Sequence, residues 1–541
     1  MDIELELKTK IKNALNQLGV DVEIPDITIE TTKNPLFGDY ASNVAMKYCK
    51  IKQTNPRDLA NKIIDVINKD GIEKIEIAGP GFINFFLEKN ALNQIVSKII
   101  NEDENYGRGE NQNKRVNVEF VSANPTGDLH LGHARIAAFG DSICRLYEFA
   151  GYDVTREYYI NDAGNQINNL GKSLRARYHQ AFNEDYPMPE DGYCAHDIVD
   201  IANKIKDEYG DIYLVDNKEN FEALTNIGMK EELDKIKKDL HFFRVDFDVY
   251  TSERDIRKNN HVQEVLENLY SKYTYVEDGA TFLKTSDFID DKDRAVVKSD
   301  GSYTYLMPDI AYHLNKLSRH YDLLIDVLGA DHHGYINRMK SALMMQGYSK
   351  DVLEVELVQV VRLIKDGEEV RMSKRTGTGI SLRELCEEVG VDAVRYFFVS
   401  RAGSSHLDFD LNLATEQSSS NPVFYAQYAY ARLSKVLSLA EDIELDISGK
   451  NLNKQQEIDL LKCLIDFPNV VKTSAKMRAP HAIATYIQRL ASLIHSFYTE
   501  CRVINRDDIK VTQSRLALAK ASAIVMRNAL NIIGVSAPTK M

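Results

Sequence analysis

The chain has 541 residues, of which 44% are hydrophobic and 27% charged, and its formal net charge is −14 at pH 7. This balance is typical of a folded globular protein and excludes an intrinsically disordered chain. No apolar run approaches the roughly 18 residues of a membrane-spanning helix, and six scattered cysteines without a C-x-x-C pair indicate neither a disulfide framework nor a thiolate metal site.

Residues 1–105 predict a small α/β domain. Helices are expected near the start and around residues 56–68, and the segment KIEIAGPGFINFFLE predicts two strands joined by a Gly-Pro-Gly turn. The polar stretch 101–114 is expected to be a linker. The opening MDIELELK carries three acidic residues and lacks the character of an export signal, which predicts a cytoplasmic protein.

Residues 106–405 predict a domain built on a doubly wound parallel sheet of the Rossmann-like α/β class. The segment RVNVEFV is typical of a strand, HARIAAFGDSICRLYEFAG of a helix and YDVTREYYI of the next strand. A comparable strand–helix unit occurs at YDLLIDVLGADHHGYINRMKSALMMQGY. Residues from about 165 to 300 are expected to form a mostly helical insertion. Such sheets bind ligands beyond the carboxyl ends of their strands, so we expect the site there.

Residues 406–541 predict an all-α domain, because amphipathic helices follow one another with short loops. From residue 422 to the end there are 16 Lys+Arg and 10 Asp+Glu, so this segment is basic although the whole chain is acidic. A basic bundle suits a phosphate-binding module. A chance excess of Lys and Arg on a solvated helical face is the alternative explanation of the same charge count.

Two histidines, His130 and His133, stand between the first strand and its helix, in SANPTGDLHLGHARIAAFGD. Residues three apart at a helix N-terminus face the same side, and the free backbone N–H groups there favour an anion. Gly132 removes a side chain where a nucleotide would approach the backbone. The pattern indicates a phosphate site, although two histidines at this spacing also arise by chance and are weak evidence alone.

A second passage, RMSKRTGTGIS, places Lys374 and Arg375 beside glycines. A lysine in such a loop can close over a phosphate chain and neutralise the charge that develops as pyrophosphate leaves. Alone, this passage would indicate only a solvated basic loop. Together with the two histidines it favours nucleotide chemistry.

The two motifs, HLGH and then MSKR after a second strand–helix unit, resemble the paired signature of class I aminoacyl-tRNA synthetases. The segments EFVSANPTG, YYINDAG, YTYLMPDIAYH, GADHHGYI, VDAVRYFF and LNIIGVSAPTKM are similar to the arginyl-tRNA synthetase family, in the expected order over essentially the whole chain. Pantothenate synthetase-like nucleotidyltransferases share much of the first motif and are one alternative. A non-catalytic RNA-binding relative is another, but such relatives usually lose a motif histidine or the lysine loop.

The resemblance implies ATP-dependent formation of arginyl-adenylate with release of pyrophosphate, then transfer of arginine to the 3′-terminal ribose of tRNA(Arg), with tRNA required for activation. Mg²⁺ is implied as a companion of ATP, without a tightly bound protein metal. Such catalysis depends on positioning and on stabilising phosphate charge, not on a protein nucleophile. By the family pattern the catalytic residues are His130, His133 and Lys374, and further ATP contacts are Gly132, Met372, Ser373 and Arg375.

The family pattern also implies a pocket for L-arginine, in which carboxylates pair with the planar guanidinium. Without the resemblance, Asp309 would be interpreted as a helix cap, Tyr305 as a core residue and Glu253 as a surface charge. A metal site at residues 331–333 is disfavoured, because adjacent side chains diverge and a fourth ligand is not apparent. The pocket positions are Glu119, Ser122, Asn124, Glu253, Tyr305, Asp309 and His332, with Asn124 and Ser122 at the α-amino and carboxylate end.

For tRNA, the resemblance implies that the C-terminal bundle holds the anticodon loop and that the N-terminal domain contacts the tRNA elbow. Tyr425, Gln427 and Tyr428 resemble a surface that stacks on and hydrogen-bonds to unpaired bases. The same segment, FYAQYAYARL, also fits an aromatic core face. We expect a monomer that needs no membrane. Asp128, where the family often has proline, places an acid near the phosphate site and can alter ATP affinity without changing the assignment.

Overall fold

The computed structural model describes residues 3–32, 37–193, 196–258, 261–370 and 380–541. None of the helices in these ranges is long and apolar enough to cross a membrane. The described chain folds around a central parallel sheet, with a small α/β unit before it and a helical bundle after it. This architecture confirms the predicted fold class.

The N-terminal unit pairs four strands antiparallel and packs helices against them. Its elements are α1 (Ile3–Gln17), β1 (Glu30–Thr31), β2 (Tyr40–Ser42), α2 (Val44–Tyr48), α3 (Pro56–Val66), β3 (Ile72–Ala78) and β4 (Phe82–Leu87). The strand order is β1-β2-β4-β3. Gly79 and Gly81, both with positive φ, form the predicted turn between β3 and β4. Helix α3 begins after Asn55, whose side chain accepts a hydrogen bond from the N–H of Asp58 at 2.8 Å.

The central sheet has five parallel strands, which alternate along the chain with helices. The elements of this part are α4 (Lys89–Glu102), β5 (Arg115–Phe120), α5 (Leu131–Phe149), β6 (Asp153–Ile160), α6 (Asn165–Ala181), α7 (His196–Tyr209), α8 (Lys218–Phe242), β7 (Val249–Ser252), α9 (Glu253–Lys258), α10 (His261–Tyr273), β8 (Thr274–Glu277), β9 (Ala280–Leu283), β10 (Arg294–Val297), α11 (Leu306–Ser318), β11 (Leu323–Gly329), α12 (Tyr335–Met345) and β12 (Leu353–Val358). The strand order is β12-β11-β5-β6-β7.

The insertion between β6 and β7 is helical, with α6 packed on both α7 and α8. Beyond β7, strands β8, β9 and β10 form a small antiparallel sheet, which the helical prediction for residues 165–300 did not include. Asp278 and Gly279, both with positive φ, make the two-residue turn of the β8–β9 hairpin. An Asp-Gly pair between β-branched and aromatic residues is a hairpin signal that the sequence already contained.

The C-terminal part of the chain follows the central sheet and forms the helical bundle. Its elements are β13 (Val361–Lys365), β14 (Glu368–Glu369), α13 (Leu382–Val389), α14 (Val391–Val399), β15 (Leu407–Asp410), α15 (Leu411–Thr415), α16 (Pro422–Ser438), α17 (Gln455–Lys476), α18 (Pro480–Glu500) and α19 (Ile509–Ile532). Apolar residues of α17, α18 and α19 share one buried cluster with α5 and the central sheet. Helix α4 packs on α17 and α19, so it joins this main body. The domain bounds at residues 105 and 405 remain predictions.

Candidate active site

The first motif lies at the carboxyl edge of the central sheet, where the chain leaves β5 and enters α5. His130 is the N-cap residue of α5, and its Nδ1 accepts hydrogen bonds from the N–H groups of Gly132 at 3.0 Å and His133 at 3.4 Å. The two imidazole rings stack with centroids 3.7 Å apart. A Cβ atom on Gly132 would come within 2.9 Å of the His130 ring, so the glycine makes room for this stack.

Both imidazoles are neutral at physiological pH. Burial lowers the pKa of His130, and burial followed by the proximity of His130 lowers the pKa of His133 to about 4. Because Nδ1 of His130 accepts hydrogen bonds, its ring proton sits on Nε2. The first motif therefore offers a neutral hydrogen-bond donor, not an imidazolium charge, at the N-terminus of a buried helix.

Directly after the second motif, the chain returns to the first motif. Ser381 pairs with His130 in an antiparallel bridge, and the N–H of Leu382 donates to the carbonyl of Leu129 at 2.7 Å. Ser381 also caps α13 in a capping box with Glu384. The predicted ATP and catalytic positions of the second motif lie outside the described residues; they are Met372, Ser373, Lys374 and Arg375.

The structure brings together three predicted acids of the arginine pocket. Asp309, half-buried in the first turn of α11, has its pKa raised to about 7, chiefly by burial and then by the nearby carboxylates Glu119 and Glu253. Glu253 begins α9 and is paired with Arg257 at 2.6 Å. Among the residues that the structure describes, none forms an ion pair with Asp309.

A buried charge network forms the floor below these acids. Glu119 on β5 lies beside Asp326 on β11, and Lys316 of α11 reaches both, with its Nζ 2.5 Å from Glu119 and 3.0 Å from Asp326. His313 Nε2 lies 2.8 Å from the other oxygen of Asp326, and its Nδ1 lies 2.8 Å from the carbonyl oxygen of Asp309. Although burial lowers it, the pKa of His313 is raised overall by Asp326.

The network continues to the next strand. Glu157 on β6 lies beside Glu119, and Arg319 Nη2 is 2.8 Å from both of its carboxylate oxygens. Thr251 and Asn117 donate further hydrogen bonds to Glu157, each at 2.6 Å. Lys316 and Arg319 thus pair with the acids of the floor, whereas Asp309 above it has no ion-pair partner among the described residues.

The sequence interpretation missed this floor and two tyrosines. Tyr159 and Tyr335 have raised pKa values, first because of burial and then because of acids that include Asp309, so both rings adjoin the pocket. One available signal was the presence of acids inside apolar strands such as LLIDVLG. Another was the spacing of three between the basic residues of α11 and its C-cap, which are His313, Lys316 and Arg319.

Ser122 and Asn124 follow β5, as expected. Ser122 has positive φ, donates its hydroxyl to Glu119 at 3.0 Å and accepts the N–H of Tyr159 at 3.1 Å. The amide of Asn124 donates to Gln166. Ser122 therefore orients Glu119 directly and is tied to the neighbouring strand.

Tyr305 and His332 lie at the open side of the site. The whole Tyr305 residue is 87% exposed immediately before α11, and the His332 side chain is 53% exposed beside Asp331. Their side chains are not packed against the three acids. Within the described ranges, no three His, Cys, Asp or Glu side chains are arranged to hold a metal ion, and this includes residues 331–333.

The predicted tRNA contacts lie on α16. Tyr428, 41% exposed, stacks near Phe424 and His495, and the guanidinium of Arg432 lies 5.4 Å from its ring centroid. Tyr425 packs on His495, with ring centroids 4.4 Å apart. Gln427, in contrast, is buried.

The amide of Gln427 is committed within the protein. It donates to Asp392 at 2.8 Å and to the carbonyl of Ser536 at 3.0 Å. Position 427 thus faces the interior of the fold while Tyr428 faces solvent, because consecutive residues of a helix point in different directions.

Family models match three parts of the chain. The model for the catalytic domain of class I (R) tRNA synthetases matches residues 95–398. The model for the arginyl tRNA synthetase N terminal domain matches residues 5–87, and the model for the DALR anticodon binding domain matches residues 426–541.

Whole-chain relatives agree with these models. The arginine–tRNA ligase of Geobacillus kaustophilus is 48% identical over 100% of both chains, and that of Bacillus subtilis is 49% identical over 99% of this chain and 98% of its own. A crystal structure of a putative arginyl-tRNA synthetase from Campylobacter jejuni superposes with a TM-score of 0.78 and 35% identity, covering 84% of this chain and 100% of that one. Thermus thermophilus arginyl-tRNA synthetase shares the fold, with a TM-score of 0.78 and 21% identity over 99% of each chain. The chain therefore belongs to the class I arginyl-tRNA synthetase family.

Proposed function

We propose that Asp309 and Glu253 hold the guanidinium of arginine, and that His130 and His133 hold the phosphates of ATP, in the two-step reaction of this arginine–tRNA ligase. In the first step the arginine carboxylate attacks the α-phosphate of ATP, which yields arginyl-adenylate and pyrophosphate. In the second step the arginyl group moves to the 3′-terminal ribose of tRNA. The protein positions the reactants and stabilises charge without forming a covalent bond to them.

The observation that carries the arginine assignment is the state of Asp309. Its ionisation is opposed by burial and by two neighbouring acids, while the acids of the floor below it are already paired with Lys316 and Arg319. A guanidinium removes that opposition, because it brings a permanent charge and several donors in a fixed plane. Glu119 supports the site from below, since its two oxygens are bonded to Lys316 and Ser122.

The remaining pocket residues are assigned by their positions. Ser122 and Asn124 hold the α-amino and carboxylate end of arginine beyond β5. Tyr305 and His332, both exposed in the free protein, contact arginine from the open side.

For ATP, the support comes from the start of α5. His130 supplies a neutral Nε2–H beside the helix N-terminus, where phosphate is favoured. Lys374 is proposed to stabilise the departing pyrophosphate, and the return of the chain at Ser381 to His130 supports this placement. ATP would carry Mg²⁺ with it, since a hard cation prefers oxygen ligands to the imidazoles of this motif. Further ATP contacts are proposed at Gly132, Met372, Ser373 and Arg375.

For tRNA(Arg), we propose that Tyr428 and Tyr425 contact anticodon bases. Tyr428 is exposed, with Phe424, His495 and Arg432 beside it, which suits base stacking. Gln427 supports this surface from within. We also propose a monomer that works in the cytoplasm.

The assignments are tested with pyrophosphate exchange and aminoacylation by the purified chain. Asp309→Asn is expected to raise the arginine KM at least about tenfold with the ATP KM unchanged, because one charge-assisted contact is lost. Lys374→Ala is expected to lower turnover about 100-fold with arginine binding unchanged. Wild-type arginine KM in Asp309→Asn would show that this acid is only structural.

The same assay separates the rival functions. We expect exchange with arginine, not with lysine or citrulline, and only when tRNA is present. Exchange that is independent of tRNA, without a charged tRNA product, would indicate a small-molecule nucleotidyltransferase. A chain without exchange under any condition would indicate a non-catalytic relative.

A further inference from the structure

A second charge cluster connects the first motif with the helical insertion. Asp128, two residues before His130, forms an ion pair with Lys235 of α8 at 2.6 Å. The same Lys235 Nζ lies 3.1 Å from Asp197 of α7. Asp128 therefore places an acid close in the chain to the first motif.

The surroundings of Lys235 are rich in acids. Glu232, one turn earlier on α8, is fully buried, and both of its carboxylate oxygens are without a hydrogen-bond partner among the described residues. Burial, and then Asp197, raises the pKa of Glu232 to about 7. The pKa of Lys235 is raised overall, since its hydrogen bond to Asp128 and the charge of Asp197 outweigh the effect of burial. Lys235 thus forms ion pairs with two carboxylates, Asp128 and Asp197, and its charge lowers the pKa of a third, Glu232.

Helix α8 also contacts α13, which begins directly after the second motif. Asp239, one turn after Lys235 and on the same face, pairs with Arg383 of α13 at 3.0 Å. Arg383 lies two residues after Ser381, which pairs with His130. One face of α8 is therefore joined to both chain segments that meet at His130.

A carboxylate beside a phosphate site opposes the binding of a triphosphate, since like charges repel over several ångströms at ordinary ionic strength. We propose that Lys235 is a positioning residue for ATP: it holds Asp128 against α8 and cancels the charge of this carboxylate, so that the insertion sets the affinity of the phosphate site. This inference rests on the proposed ATP-binding role of His130 and His133.

The test measures the Kd for ATP–Mg²⁺ by titration calorimetry, together with the KM and kcat of tRNA-dependent exchange. Lys235→Met is expected to weaken ATP binding about fivefold, with kcat and the arginine KM within twofold of wild type. Asp128→Asn alone binds ATP at least as well as wild type, and Asp128→Asn combined with Lys235→Met restores wild-type affinity. Lys238→Met, an exposed lysine on the same helix, is the matched control.

Salt provides a readout that a purely structural role would not change. The loss in Lys235→Met, relative to wild type at the same salt, is expected to shrink between about 0.05 M and about 0.5 M KCl, because screening weakens the repulsion from Asp128. If Asp128→Asn weakens ATP binding as much as Lys235→Met does, or if the double variant is no better than Lys235→Met, the proposal is wrong.

A further variant distinguishes this inference from the proposed function. His133→Asn is expected to weaken ATP binding irrespective of residue 235. Unchanged ATP affinity in His133→Asn would overturn the phosphate role of the first motif. If His133→Asn weakens ATP binding as expected but Lys235→Met binds ATP with wild-type affinity, the role of Lys235 is overturned and the phosphate role of the first motif is kept.

Discussion

Asp309 and the floor beneath it show how single residues prepare a site for a cation. Lys316 is completely buried between Glu119 and Asp326, and its charge is used entirely within the protein. Asp309 has no such partner among the described residues, and its pKa lies near 7. A permanently charged ligand is therefore bound in competition with a proton on this acid.

This competition predicts a pH dependence of arginine binding. Below pH 7 the free enzyme is increasingly protonated at Asp309, so the arginine KM is expected to rise toward tenfold per pH unit, and above pH 7 it should level off. The measurement is the arginine KM of exchange from about pH 5.5 to 8.5. In Asp309→Asn the profile should be flat and high, whereas Asp255→Asn, an exposed acid on α9, should keep the wild-type profile. A profile of the same slope in Asp309→Asn would assign the titration to another group.

At the scale of elements, α8 and α11 each present charged side chains to segments around the active site. On α11, residues spaced by three lie on one side and meet acids that stand side by side on three strands. On α8, Lys235 and Asp239 contact the two motif segments, while Glu232 is buried without a partner among the described residues. A buried carboxyl group without a hydrogen-bond partner lowers the stability of the folded protein.

Glu232→Gln is expected to stabilise the protein. The folded-state pKa of Glu232, about 7, lies above its ordinary value of 4.5, so ionisation opposes folding increasingly as the pH rises from 4.5 to 7 and fully above 7. The amide avoids this cost, which we place at roughly 2–3 kcal/mol of unfolding free energy at pH 8. Thermal unfolding should show a larger gain at pH 8 than near pH 5. The exposed Glu222→Gln on α8 serves as the control, and an equal gain at both pH values in Glu232→Gln would exclude titration as the cause.

At the scale of the whole molecule, the end of the chain joins the bundle to the catalytic sheet. Arg395 of α14 is completely buried, and it donates to Asp141 of α5 at 2.5 Å, to the carbonyl of Phe243 at 3.0 Å and to the carbonyl of Ile533 at 3.2 Å. One guanidinium thus links the first-motif helix, the end of the insertion and the end of α19. Stability of the catalytic domain and of the bundle should be coupled through this junction.

Gly534→Ala tests that coupling. Gly534 has a φ of +68°, and an added Cβ would overlap the guanidinium of Arg395. We expect a loss of roughly 2–3 kcal/mol of stability, from overpacking and from strained backbone together, and a lower unfolding temperature in calorimetry. Gly347→Ala is the matched control, because Gly347 also has positive φ but has no atom within 4 Å of an added Cβ. Equal losses in the two variants would show that backbone strain alone is responsible.

The sequence by itself determined the fold class and the two motifs, because these depend on short-range patterns. Strand and helix periodicity predicted the parallel sheet, and the HLGH spacing placed His130 and His133 at a helix start, where the structure has them. The positions of Glu119, Glu253 and Asp309 came from family resemblance, and the structure brings them together. The motif around Lys374 lies outside the described residues and stays a prediction.

Only the tertiary structure decided which charges remain available to a ligand. Strand register sets Asp326, Glu119 and Glu157 side by side, and the packing of α11 turns Lys316 toward them, so these acids are paired within the protein. In the same way Gln427 faces inward, although it adjoins an exposed tyrosine in the sequence. Register and helix orientation arise from contacts between residues far apart in the chain, which local periodicity does not contain.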